Sequence, residues 1–93
     1  MRIKVATAGA LTRSMPDGST VIEGRTLTVR SLIEALTAKY GPGLSEELLE
    51  QGNLKDGLCM LVNGRNILSL PQGYETTLRD GDEVLIAIVI SGG

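Results

Sequence analysis

Polar and apolar residues alternate at the start of the chain, with Arg2 and Lys4 set against Ile3 and Val5. A period of two predicts a half-buried strand over residues 2–8. Gly, Ser, Pro and Asp gather between Gly9 and Gly18, and Pro16-Asp17-Gly18 predicts a turn. Thr20, Val21 and Ile22 predict the return strand of a hairpin over residues 19–23. Val29, Leu32, Ile33, Leu36 and Tyr40 then switch to helical spacing and place one apolar stripe on a helix over residues 29–40. Thr28 is the expected N-cap, because its hydroxyl can accept a free amide of the first turn. Leu27 and Leu32 then occupy the staple positions. Gly41-Pro42 stops the helix, since Gly accepts a left-handed residue and Pro cannot extend the chain helically.

Beyond that stop the pattern shortens. Residues 45–51 predict a second, shorter helix capped by Ser45 and ended by Gly52, with Glu46, Glu47 and Glu50 on a solvated face. Leu58 to Val62 predicts a strand, and Asn63-Gly64 is the dipeptide best suited to a two-residue hairpin turn. Residues 66–70 predict a short strand, residues 71–82 a loop, and residues 83–90 a last strand. The unbroken apolar run from Val84 to Ile90 makes that strand a central one. Strands before and after the helices predict an α+β fold with helix on one side of a sheet.

Composition narrows the chemistry. The 93 residues, 42% of them hydrophobic, fit one small domain. There is no His and a single cysteine, Cys59. That removes most metal sites, the His-dependent nucleophilic arrangements and any disulfide within the chain. The net charge of −2, the lack of a Lys/Arg cluster and only two aromatics argue against nucleic acid as a partner. The longest apolar run is too short to span a bilayer, and the residues after Met1 lack the apolar stretch of a signal peptide. The expectation is a cytoplasmic protein with no membrane association. Cys59 reads as a small core hydrophobe within its strand. Asp80, Asp82 and Glu83 read as turn residues rather than metal ligands or paired acids. Gly41-Pro42-Gly43 lacks the Gly-Lys-Ser/Thr continuation of a phosphate loop.

The sequence finishes with Ser91-Gly92-Gly93 directly after its most apolar strand. Two residues without side chains on a rigid strand make a slim tail that can thread a narrow channel and present the Gly93 carboxylate. Val62-Asn63-Gly64, the stretch from Leu78 to Val84 (Leu-Arg-Asp-Gly-Asp-Glu-Val) and Ser91-Gly92-Gly93, in that order, resemble the ubiquitin-like sulfur carriers. These are the small subunit of molybdopterin synthase and the thiamine-pathway carrier. The resemblance implies a β-grasp fold: a mixed sheet of about four to five strands, one main helix and one short one. It implies a domain over residues 1–90 and a tail over residues 91–93.

The resemblance also implies a chemistry. An E1-like adenylyltransferase, using ATP and magnesium, adenylates the Gly93 carboxylate. A sulfur donor of the cysteine desulfurase or rhodanese type then displaces AMP, and the resulting thiocarboxylate passes sulfur to a downstream acceptor enzyme. Gly93 bears the sulfur, Ser91 and Gly92 thread the partner's active site, and the chain itself is a substrate rather than an enzyme. The acceptor pathway stays open. So do two other readings: a protein modifier joined through Gly93 to target lysines, and an interaction module with incidental glycines.

The last strand adds a partner surface. Val84, Ile86, Ile88 and Ile90 fall on one side, and Leu85, Ala87 and Val89 on the other. One main helix covers one sheet face, so apolar residues on the second face either meet a partner or lie under loops. The expectation places Ile86, Ile88 and Ile90 on the partner surface, with Arg65 at its polar rim.

Overall fold

The alternation at the start of the chain becomes β1 (Arg2–Thr7), in which Ile3 and Val5 are fully buried while Arg2 and Lys4 face solvent. It pairs antiparallel with β2 (Ser19–Glu23), where Ile22 sits opposite Ile3. The computed structural model describes residues 1–8 and 18–88. The predicted Pro16-Asp17 turn, the end of the last predicted strand and the tail therefore lie outside the described residues.

Helix α1 (Val29–Tyr40) follows, and Val29, Leu32, Ile33 and Leu36 are its buried residues. Thr28 caps it as expected: its side chain accepts the Ser31 amide at 3.2 Å, and Ser31 Oγ accepts the Thr28 amide at 2.7 Å. Two of the first-turn donors are thus satisfied reciprocally. Leu27 and Leu32, the staple pair, are both in the core. Gly41 closes the helix in the left-handed region at φ 87°, donating its N–H to Thr37 O at 2.8 Å.

The second helix, α2, runs Pro42–Leu48, three residues earlier than predicted, and Ser45 is not its cap. Pro42 stands at the first helical position, where its missing N–H costs nothing and its fixed φ is already helical. The same residue that stops α1 therefore starts α2. Leu44 and Leu48, four apart, are both fully buried. Gln51 at φ 54° and Gly52 at φ 84° form a tight turn instead of continuing the helix. It joins β3 (Leu49–Glu50) to β4 (Asn53–Leu54) in a small separate ladder.

β5 (Leu58–Val62) turns at Asn63 (φ 50°) and Gly64 (φ 86°) into β6 (Arg65–Asn66). Both turn residues have positive φ, the geometry that matches the twist of a two-residue hairpin. The strand predicted over residues 66–70 is a correction: β6 is two residues long and gives way to a 3-10 turn, Ile67–Ser69. Asn66 Oδ1 accepts the Leu68 amide at 3.0 Å, an Asx-type bond that curls the chain off the sheet. Another 3-10 turn, Gly73–Glu75, interrupts the loop before β7 (Glu83–Ile88).

The main sheet has the order β2-β1-β7-β5-β6, with β7 parallel to β1 and antiparallel to β5. The apolar last strand is thus the central one, as its composition predicted. The five-stranded mixed sheet with α1 on one face is the β-grasp arrangement. Ile3, Val5, Met60, Val62, Val84 and Ile86 line its inner face and share one core with α1, α2, Ile67 and Leu78.

Candidate functional site

The candidate site has two parts: the end of β7, from which the last residues of the chain continue, and the sheet face turned away from α1. β7 is held on both sides. Val5 pairs with Val84 and Ala6 with Leu85 on one flank; Leu61 pairs with Leu85 and Cys59 with Ala87 on the other. The Ala8 amide adds a bond to Ile86 O at 3.0 Å. Whatever follows Ile88 therefore starts from the middle of a sheet. Gly93, Gly92, Ser91 and Ile90 lie outside the described residues.

Side chains alternate across β7, and neighbours in register share a face. Val84 and Ile86 lie beside Val5, Met60 and Val62 beneath α1, so Ile86 is fully buried and cannot form part of a partner surface. This corrects the expectation for Ile86. The opposite set, Leu85 and Ala87, is half-buried and faces outward. Ile88 ends β7 in register with Leu58, and its side chain lies outside the described residues.

The outward face is an apolar row. Ala6, Leu85 and Leu61 stand side by side across β1, β7 and β5, with Ala87 and Cys59 in the next rank. Cys59 is therefore not a core residue: in β5 the inward positions are Met60 and Val62, and Cys59 is half-buried on the open face. A shallow depression of about 330 Å³ lies over this row, bounded by Lys4, Glu83 and the Asn63-Gly64 turn. Val21, beside Lys4 in register, extends the apolar surface onto β2 and is 36% exposed. The rim pairs Lys4–Glu83 (3.9 Å) and Arg2–Glu23 (3.1 Å) are solvent-exposed and add little stability. They leave a patch of small and medium apolar side chains that loses water readily on contact with a partner.

Arg65 is exposed, but it does not rim that patch. It stands directly across from Val62, which faces the core, so it lies on the α1 side of the sheet edge. Asp80 and Asp82 act as turn residues, as expected: Asp80 Oδ1 accepts the Arg2 amide at 2.8 Å and Asp82 Oδ2 the Arg79 amide at 2.8 Å. Asp82 Oδ1 also accepts from Asn63 Nδ2 at 2.9 Å, and Asn63 Oδ1 accepts the Glu83 amide at 2.9 Å. These bonds lock the 63–64 turn to the start of β7. Among the described residues no polar or charged residue is buried, and no three His, Cys, Asp or Glu side chains gather to hold a metal. No described helix is long and apolar enough to cross a membrane.

The five-stranded mixed sheet clasping α1, with the last strand at its centre, defines the ubiquitin-like class of β-grasp proteins. The ThiS family profile matches residues 9–93, and the chain belongs to the ThiS family. A proposed sulfur carrier protein of Archaeoglobus fulgidus is 38% identical over 93 residues, covering 100% of both chains. Small archaeal modifier protein 3 of Haloferax volcanii is 38% identical over 66 residues, 71% of this chain and 70% of that one. The solution structure of small archaeal modifier protein 1 from Methanosarcina acetivorans superposes with a TM-score of 0.80 at 31% identity, covering 99% of this chain and 96% of that one. Like other members of its family, the chain is a small carrier-type protein and not an enzyme.

Proposed function

We propose that the chain carries sulfur as a thiocarboxylate on Gly93. The observation that carries this reading is the Ser91-Gly92-Gly93 sequence a few residues beyond the central strand β7, in a chain of the ThiS family. A carboxylate is a poor electrophile because its charge is delocalised over both oxygens. An E1-like adenylyltransferase, with ATP and magnesium bound to that partner, converts it to an acyl adenylate and releases pyrophosphate. A persulfide sulfur from a cysteine desulfurase or rhodanese-type donor attacks the acyl carbon, and AMP leaves with the bonding electron pair. A second thiol then cleaves the S–S bond, leaving the thiocarboxylate on Gly93 and a disulfide on the donor side. A downstream enzyme takes the sulfur.

This chain's own part is recognition and delivery. The apolar row of Ala6, Leu61 and Leu85 docks on the activating partner, and Ser91 and Gly92 are narrow enough for the active-site channel. ATP–pyrophosphate exchange with the cognate adenylyltransferase tests the first step. The expected result is exchange with the full chain and none after deletion of Gly93; equal exchange by both would overturn the reading.

A second reading rests on the 38% identity to small archaeal modifier protein 3. In it the activated Gly93 is attacked by a target lysine and forms an isopeptide bond. Activation is common to the two readings, and the attacking nucleophile separates them. Tryptic peptides carrying a Gly93–lysine branch would support conjugation.

A further inference from the structure

Half of the eight Lys and Arg side chains among the described residues are already neutralised or engaged. Arg2, Lys4 and Arg30 each lie within 4.0 Å of a carboxylate, at 3.1, 3.9 and 2.8 Å. Lys39 Nζ donates to Thr20 Oγ1 at 2.7 Å and lies over the Tyr40 ring. Among the described residues Arg25, Lys55, Arg65 and Arg79 have no carboxylate partner. Two of these four, Arg65 and Arg79, line one depression of about 330 Å³ between the β5–β6 hairpin and the segment leading into β7. Thr76 and Thr77 line it as well, and Thr76 Oγ1 is buried with no hydrogen-bond partner.

We propose that this depression binds a phosphate-class oxyanion between the guanidinium groups of Arg65 and Arg79. The two arginines stand on turns that are fastened to each other. Asp82 joins them by accepting the Arg79 amide on Oδ2 and Asn63 Nδ2 on Oδ1, at 2.8 and 2.9 Å. Asp82 also lines the depression, but both of its oxygens are engaged in holding the turns, and neither guanidinium forms an ion pair with it. The hairpin and the segment at Arg79 are fixed before any ligand arrives, which lowers the ordering cost of binding. A guanidinium presents a planar fork of donors that matches two oxygens of a phosphate, and a tetrahedral anion has enough oxygens to engage two such forks at once. A carboxylate, with two oxygens, satisfies one fork.

The depression lies at the Glu83 end of β7, whereas the tail leaves from the Ile88 end. Five residue steps of strand separate them, about 16 Å at the usual rise. The proposal rests on the lining of this depression alone and does not depend on the reading of Gly93.

Amide-resolved NMR titration of the full chain with inorganic phosphate, against chloride and acetate at matched ionic strength, tests it. The expected result is saturable shifts at the amides of Arg65, Thr77 and Arg79 with a Kd of about 1–10 mM for phosphate. The R65Q/R79Q double variant weakens binding at least about tenfold, while R25Q, which removes an unpaired arginine elsewhere, leaves it unchanged. The three arginines are exposed, so unchanged amide shifts elsewhere certify that the variants fold. Shifts that grow linearly, that chloride or acetate reproduces, or that survive in the double variant would overturn the proposal.

Discussion

Asn63 combines a backbone φ of 50° with hydrogen bonds through both ends of its side-chain amide, donating to Asp82 and accepting from the Glu83 amide. Asn tolerates the left-handed region better than other residues with a Cβ. Asn63→Ala therefore loses both bonds and gains backbone strain. The expected cost is about 1–2 kcal/mol, read as a lower urea midpoint at unchanged m-value; a midpoint equal to that of the parent would contradict it. The turn itself was legible as the Asn-Gly dipeptide. Its clamp to Asp82 was not, because the partners are 19 residues apart and no local pattern encodes the meeting. Cys59 shows a related blindness. In Leu58 to Val62 every residue is apolar, so period two leaves no mark to tell inward positions from outward ones.

Helix α1 was legible at both ends because several local signals coincide: a stripe of buried residues, the Thr28 cap and the Gly41-Pro42 stop. These signals carry different weights. Thr28→Ala removes the cap and is expected to cost about 1 kcal/mol. Leu36→Ala opens a cavity at a fully buried position and is expected to cost about 2–5 kcal/mol. Thermal or urea unfolding of the two variants checks the order; a cap variant as damaging as the core variant would contradict it. Helix α2 was legible in kind but misplaced, because Pro42 both stops one helix and starts the next. Ser45 resembles a cap, yet the buried pair Leu44 and Leu48 sets the helix by packing. Tertiary contact overrides a local capping preference here.

Over the whole molecule the sheet order sets which face is open. The β-grasp order and the central place of the last strand were readable, the latter because a strand buried by neighbours is apolar throughout. Which side of that strand faces outward was not, since Leu85, Ile86 and Ala87 are all apolar. The answer comes from the register with β1, where Lys4 and Ala6 mark the outer face and Val5 the inner. If Leu85 is a docking residue, Leu85→Gln raises the activating enzyme's KM for this chain about tenfold, with less destabilisation than Leu36→Ala. An unchanged KM in a folded variant would place docking elsewhere. The central claim concerns the terminus, and intact mass tests it most directly. Untagged protein purified from its own host is compared with the Gly93 deletion. A species heavier by one oxygen-to-sulfur exchange, absent from the deletion, is the predicted result. Unmodified mass alone, even after incubation with the cognate adenylyltransferase, ATP and a sulfur donor, would contradict it.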